Sequence, residues 1–327
     1  MRETCTILRP NDFRLEQLKE EEWSNLLENS PQRTKYLCPD FLKVFDRNVR
    51  FFGLFRKERC LLGLPVTQAL VDEESALPFC YYQGLVLGSS MGEGTFTKQQ
   101  ANYLNYLAEA LEKVVEQGIE FKLNLHPSLQ DIRPFDWLNF GNKMLNRCTL
   151  ATKYSAGLAL KDRSKEDLRG LAQSVRRQEE KYAIERENLS VRFGEDYDNL
   201  LKLYCASMSR SGGSVSQDQR RLLLNYCHCL SSATTTILLE VKKETGESVS
   251  AAFAWEDFDG YWHLPVVGNS GSRYGGTLLY FALMDEIIDR GGTFLDFNGA
   301  NSPKRAAYKH SFGAHPIAYY HVSYRVS

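Results

Sequence analysis

The sequence has no excess of charge of either sign. Its 40 Lys and Arg face 41 Asp and Glu, a net charge of −1, which excludes a general attraction to nucleic acid or anionic membrane, so a partner of that kind needs a local patch. No apolar run approaches the length of a membrane span. Met1-Arg2-Glu3-Thr4-Cys5 leads into charged residues rather than an apolar signal core, so a cytoplasmic protein without a membrane span is expected. Clustered cysteine is also missing. Cys5, Cys38, Cys60, Cys80, Cys148, Cys205, Cys227 and Cys229 are scattered, mostly inside apolar runs, which excludes a disulfide scaffold and points to reduced core thiols. Cys227-His228-Cys229 lacks the second ligand pair of a structural zinc site, and no metal is expected. There is no low-complexity segment. What is present is ordinary for a soluble globular chain, with 43% hydrophobic, 25% charged and 12% aromatic residues. At 327 residues the chain is long for one core, and two domains are expected, 1–150 and 151–327.

The most informative stretch runs from Tyr261 to Arg325. Tyr261 to Val267 reads as a strand, and the loop Arg273-Tyr274-Gly275-Gly276-Thr277 leads into a helix with Leu279, Leu283 and Ile287 at i, i+4 and i+8. Gly291-Gly292 stops that helix. Thr293 to Phe297 has the length and apolarity of a buried parallel strand, followed by the polar loop Asn298-Gly299-Ala300-Asn301. Ser302-Pro303 then reads as an N-cap and first helical position, and the short helix carries Lys304, Arg305, Tyr308 and Lys309. Two readings of the glycine loop stay open. Unpaired N–H groups at a helix start suit a phosphate or pyrophosphate, which would make Arg273, Gly275, Gly276 and Thr277 anion-binding residues; an ordinary Gly-Gly helix start is the alternative.

Taken in order, residues 13 to 48 read as helical, and Val49 to Phe55, Cys60 to Leu70 and Phe79 to Leu87 as an antiparallel meander. Thr97-Lys98-Gln99-Gln100 is a capping box opening a helix with Leu104, Leu107, Ala108, Leu111 and Val115 on one face, and Ile119 to Leu125 alternates as a strand. Asp131 to Trp137 begins a short helix. Asn142 to Leu160 reads as strand, and a charged helix capped by Ser164 runs to Asn188, with Arg169, Arg176, Arg177 and Lys181 as a local basic group. That group is a solvated, ion-paired face or a nucleic-acid patch. Two further helices, Asp198 to Met208 and Ser216 to Leu230, precede strands at Thr236 to Val241, Val249 to Trp255 and Tyr261 to Val267. Meander, helix stopped by glycine, strand and proline-bearing loop thus occur once in each half. The fold class expected is α/β (α+β): a degenerate internal duplication of two units, each a mixed, mainly antiparallel sheet flanked by helices.

Three pieces of the chain carry a resemblance to a known family: Arg176-Arg177-Gln178-Glu179-Glu180-Lys181-Tyr182-Ala183; Phe294-Leu295-Asp296-Phe297-Asn298-Gly299 after the helix stopped by Gly291-Gly292; and Tyr308-Lys309-His310-Ser311-Phe312-Gly313. With the order of elements, they make the chain resemble the GCN5-related N-acyltransferase (GNAT) superfamily and, more closely, its duplicated Fem-like branch. The resemblance implies transfer of an acyl or aminoacyl group to an amine of a cell-envelope (peptidoglycan) precursor or small metabolite, with acyl-CoA or aminoacyl-tRNA as co-substrate and no resident cofactor. It places the donor where the strand containing Pro265 splays from the next, against the glycine loop, with Asn298, Lys304 and Lys309 on the donor side. Lys309 would meet donor phosphate, and Arg176, Arg177 and Lys181 would meet charged tRNA. The N-terminal unit would shape the acceptor groove. The glycine loop lacks the superfamily's second spaced glycine, which counts against coenzyme A.

The chemistry then names candidates. An amine nucleophile must lose a proton and a tetrahedral oxyanion needs donors. Asp296 is the first candidate base, with a strand-end carboxylate capping a turn as its alternative. Tyr308 is a candidate acid or oxyanion donor, or packing. His263 is a candidate base, or a core histidine. No serine or cysteine has a convincing nucleophile constellation, so direct transfer is expected. An acyl-CoA-dependent acetyltransferase and a non-enzymatic scaffold retaining the fold are the competing readings.

Overall fold

Phe13 and Leu15 are buried on one face of an extended segment, β1 (Phe13–Leu18), and Leu18 is buried on the other. The period of two, rather than the helix expected there, decides the local structure, because β1 completes an antiparallel ladder with β2 (Arg50–Arg56) from Phe13↔Arg56 to Leu18↔Phe51. The computed structural model describes residues 13–46, 48–67, 79–92, 95–194 and 196–326. The N-terminal segment read for a signal core and the end of the expected strand Cys60 to Leu70 fall outside them. The chain divides into two compact units: one up to Thr152 together with Tyr319 onwards, the other Lys153–Ala318. The expected second domain thus loses its C-terminal tail to the first.

In the first unit, α1 (Glu20–Glu28) has glutamates throughout its first turn, where the helix dipole favours them, and the Glu22 carboxylate accepts from the Lys19 N–H at 2.8 Å. α2 (Pro39–Phe45) starts on proline. β2 pairs with β3 (Arg59–Val66), which pairs with β4 (Val86–Leu87). The expected strand Phe79 to Leu87 shrinks to those two residues. Phe79 has a positive φ, and the chain between it and β4 bonds to side chains instead of a ladder: Gln83 Oε1 accepts from the Asn124 N–H at 2.8 Å, and Asn124 Nδ2 donates to the Cys80 carbonyl at 3.1 Å. α3 (Phe96–Glu116) is capped by Thr95 rather than Thr97, and it buries Tyr103, Tyr106, Leu107, Ala110, Leu111 and Val114. β5 (Phe121–Asn124), wholly buried, and α4 (Arg133–Trp137) follow.

β6 (Thr149–Ala159) carries the chain into the second unit. Its Ser164 capping box forms as expected, but the single charged helix is two, α5 (Lys165–Leu171) and α6 (Ser174–Glu185). Ala172 is extended between them, and Arg177 donates to the carbonyls of Arg169 and Ala172 at the end of α5. Next come β7 (Ser190–Phe193), α7 (Asp198–Arg210), α8 (Gln217–Ala233), β8 (Thr236–Lys242), β9 (Ser248–Glu256), β10 (Tyr261–Asn269), α9 (Gly275–Asp289), β11 (Phe294–Asp296) and α10 (Pro303–His310), with β12 (His315–Tyr324) returning the chain. Strand order within this unit is β6-β11-β10-β9-β8-β7, antiparallel except for the parallel pair β10 and β11. A parallel pair needs a crossover, and α9 supplies it, with Leu279, Leu283 and Ile287 wholly buried. Among the described residues, no helix is long and apolar enough to cross a membrane, and no group of three or more His, Cys, Asp or Glu could hold a metal. Cys227 is buried on α8.

Candidate functional site

β10 and β11 pair only at Tyr261↔Phe294, Trp262↔Leu295 and His263↔Asp296. Beyond that point β11 ends, while β10 runs on to Asn269 with an irregularity against β9 between His263 and Val266. Pro265 lies in that irregularity and has no N–H to give a ladder. The two strands therefore part at the ends from which α9 and α10 are reached, where α/β sheets gather their sites.

Asp296 and His263 sit at the apex of the split, both 1% exposed or less. Asp296 accepts from the Ser155 hydroxyl, from the Asn298 N–H at 2.7 Å and from the Tyr261 hydroxyl at 3.4 Å. His263 Nε2 faces Asp257 Oδ2 at 3.2 Å, and its Nδ1 lies 3.3 Å from Asn298 Nδ2 and 3.9 Å from Asp296 Oδ2. Burial together with the Asp296 charge raises the Tyr261 hydroxyl well above its usual range, so it stays a donor. Neither Asp296 nor His263 reaches the surface. They tie β6, β10 and β11 together and start the turn after β11, where Asn298 has φ 52°. The side-chain amide oxygen of Asn298, Oδ1, is buried without a hydrogen-bond partner among the described residues.

Lys309 corrects the expectation that it meets donor phosphate. It is 9% exposed, and its ammonium donates to the carbonyls of Phe297, Asn298 and Gly299, the first and last at 2.8 Å. An ammonium has three donors, and three successive carbonyls take them all, so Lys309 clamps the turn. Burial pulls its pKa down to about 8, opposed by the Asp296 charge.

The glycine loop is also otherwise engaged. The Gly275 N–H donates to Ser272 Oγ at 3.1 Å and the Thr277 N–H to the Tyr274 carbonyl at 3.1 Å. Thr277 Oγ1 donates to Glu179 Oε2 at 2.6 Å, which sets a carboxylate of the chain itself at the positive end of α9. Arg176 holds that carboxylate at 2.5 Å, donates to Ser311 Oγ at 2.8 Å and stacks 4.6 Å from the Tyr308 ring centroid. The Tyr308 hydroxyl lies 3.3 Å from Thr277 Oγ1, and burial pushes its pKa up to about 12. A Cβ on Gly276 would stand 3.0 Å from that hydroxyl, so glycine there lets the tyrosine approach without shifting. Arg176, Glu179, Thr277 and Tyr308 thus form one half-buried cluster. Glu179 was legible only as an interruption of a basic run, since the signal linking it to Thr277 is tertiary.

The other expected residues are dispersed. Arg177 caps α5, Lys181 pairs with Glu185 at 3.7 Å, and Arg176 turns inward, so the three do not form the basic patch expected for nucleic acid. Helix periodicity explains this: neighbours i and i+1 point 100° apart and seek different partners. Arg273 lies over the Tyr274 ring and Lys304 is exposed on α10.

The first unit contains a cavity of about 1000 Å³, lined by the end of β4, the start of α3 and the loop after β5, with Gln32, Gln99, Gln100 and Ser128 offering amides and a hydroxyl over Met91, Tyr103 and Leu129. Gln32 is 3% exposed and fixed, donating to Ser128 Oγ at 3.2 Å and accepting from the Leu87 N–H at 2.9 Å.

No family model matches this sequence, and no curated protein matches it. Solved structures do. FemX is 11% identical, covers 94% of this chain and 96% of that chain, and superposes with a TM-score of 0.62. A tandem GNAT protein from the clavulanic acid biosynthesis pathway is 12% identical, covering 95% and 97%, with a TM-score of 0.53. L-PGS from Bacillus licheniformis is 14% identical, covering 95% and 93%, with a TM-score of 0.50. At these identities the likeness is one of fold: the chain has a GNAT-related, Fem-like fold.

Proposed function

We propose that this chain is a Fem-type N-acyltransferase moving an acyl or aminoacyl group from an ester donor directly to the amine of a cell-envelope precursor or small metabolite. The observation that carries the reading is the cluster at the start of α9. There Arg176 and Tyr308 offer two donors side by side, and Glu179, held by Arg176 and by the Thr277 hydroxyl, offers an acceptor beside them. As the amine attacks the carbonyl carbon, charge develops on the carbonyl oxygen, and Arg176 and the Tyr308 hydroxyl stabilise it. Glu179 takes the proton from the attacking nitrogen; as the oxyanion collapses and the ester C–O bond breaks, Glu179 returns that proton to the leaving alkoxide. Tyr308 remains a donor at neutral pH because burial keeps its pKa near 12. Asp296, His263 and Asp257 act as positioning residues, holding the turn that Lys309 clamps and so placing α10 with Tyr308 on it. In this reading the first unit holds the acceptor, in its cavity lined by Gln32, Gln99, Gln100 and Ser128 beside Glu28, Arg33 and Asp131.

Glu179 at the α9 start repels a pyrophosphate, which supports an aminoacyl-tRNA donor over acyl-CoA. Thermal shift and calorimetry with acetyl-CoA, a long-chain acyl-CoA, an aminoacyl-tRNA mixture and a muramyl-peptide nucleotide, each at two salt concentrations, test this. The expected result is a salt-sensitive rise in apparent stability with charged tRNA and transfer of its labelled amino acid to the amine. A response to acyl-CoA alone overturns the donor assignment. Silence from all four overturns the enzyme reading in favour of a scaffold.

A further inference from the structure

Of the four tryptophans, Trp23, Trp255 and Trp262 are fully buried, whereas Trp137 is 44% exposed. It is not alone. Phe140 is 74% exposed, Met144 85% and Leu145 43%, so four large apolar side chains face outward within nine residues of the first unit. Scattered exposed apolar residues need no explanation, but a contiguous group does.

The segment is built rather than loose. Pro134, Phe135 and Leu138 are buried and anchor α4, which leaves Trp137 on the outer side. Asn139 Nδ2 donates to the Asn146 carbonyl at 2.6 Å, closing the loop on itself, and the Met144 N–H donates to Asn142 Oδ1 at 3.0 Å. Arg147 reaches back to Asp136, donating to its carbonyl at 2.5 Å and its carboxylate at 2.8 Å. The cations stand beside the apolar groups: Arg133 is 5.6 Å from the Trp137 ring centroid and Arg147 is 5.3 Å from that of Phe140. Between Asp131 and Arg147 the chain carries Arg133, Lys143 and Arg147 against Asp131 and Asp136. The segment is thus positive although the whole chain is −1.

We propose that this loop is a docking surface for an anionic lipid bilayer. Tryptophan and phenylalanine settle at the headgroup level, with methionine and leucine entering the acyl boundary beside them, while lysine and arginine meet acidic headgroups. Charge decides against a neutral apolar partner, since Lys143 would be buried unpaired against one. Attachment is peripheral and reversible, as four side chains and one excess cation give far less than a spanning helix.

Trp137 supplies its own reporter. The full-length protein is mixed with vesicles of phosphatidylcholine alone, or with about a third phosphatidylglycerol, while tryptophan emission is recorded and vesicles are sedimented. With the anionic vesicles, emission shifts to the blue, brominated acyl chains quench it, and the quenching disappears in Trp137→Phe. The double substitution Phe140→Ser/Met144→Ser, at exposed positions that leave the core intact, lowers vesicle partitioning by about tenfold or more. Lys143→Glu removes the preference for anionic lipid. Absence of any spectral change or sedimentation with vesicles overturns the proposal. So does partitioning indifferent to residues 140 and 144, or a blue shift without lipid that grows with protein concentration, which would assign the loop to a second copy of the chain.

Discussion

The two units share an order of elements, strand, helix, strand, loop and short helix, and solve the same junction differently. In the second, β10 and β11 are joined by a backbone ladder before they part, and the space at the start of α9 is taken up by Arg176, Glu179, Thr277 and Tyr308. In the first, the stretch before β4 meets the end of β5 through the amides of Gln83 and Asn124, and the equivalent place, at the start of α3, is an open cavity of about 1000 Å³. Side chains fill the one place, and the other is left open.

The largest effect expected is on rate. Arg176→Ala should lower acyl transfer by about 10²–10³-fold with little change in KM, as loss of an oxyanion donor does. Gln99→Ala in the first unit should raise KM for the acceptor a few-fold and spare kcat. Steady-state kinetics of both variants check the contrast, and equal losses of kcat would abolish it.

A smaller effect concerns stability. Gln83→Ala leaves the Asn124 N–H unpaired in a buried place and should cost about 1–3 kcal/mol, seen in denaturant unfolding. Hydrogen exchange sharpens it: the Asn124 amide should exchange faster, while the amides of β11, held by backbone partners, should not change.

Comparable in size, but spread over a pH window, is an effect at Lys309. Its folded pKa of about 8 lies below the ordinary lysine value of 10.5, so between those values the unfolded chain binds more protons than the folded one. This group's contribution to stability therefore rises as pH climbs through that window, on the order of 1–3 kcal/mol, and is flat below it. Unfolding midpoints of the natural chain should gain on those of Lys309→Met between pH 8 and pH 10; parallel curves would count against the assignment.

Much of the second unit was legible. The glycine stop at Gly291-Gly292, the i, i+4, i+8 apolar residues of α9 and the Ser302-Pro303 start of α10 are local signals, and the elements lie where those signals put them. The Ser302 hydroxyl makes no cap bond, so the proline alone marks that start. The first unit was less legible. Phe13 to Leu18 has the composition of either element, and only the edge of β2 decides it; the burial face of α3 is turned by about one residue because Tyr103 and Tyr106 carry more apolar area than Leu104 and Ala108. At the site, a lysine near a polar loop reads as a phosphate ligand until three carbonyls are seen around it.

What the sequence by itself determined is the order and type of most elements, the doubled pattern and the residue types from which a transfer site is made, because helix period, strand alternation, caps and glycine stops act within a few residues. Only the tertiary structure decided which of those residues meet. Glu179 and Thr277 lie far apart in the chain yet 2.6 Å apart in space, and Asp296 and His263, candidates by chemistry, are enclosed by Ser155, Tyr261 and Asp257 from three strand regions. Contact across such separations depends on packing two faces together, and no local signal encodes it.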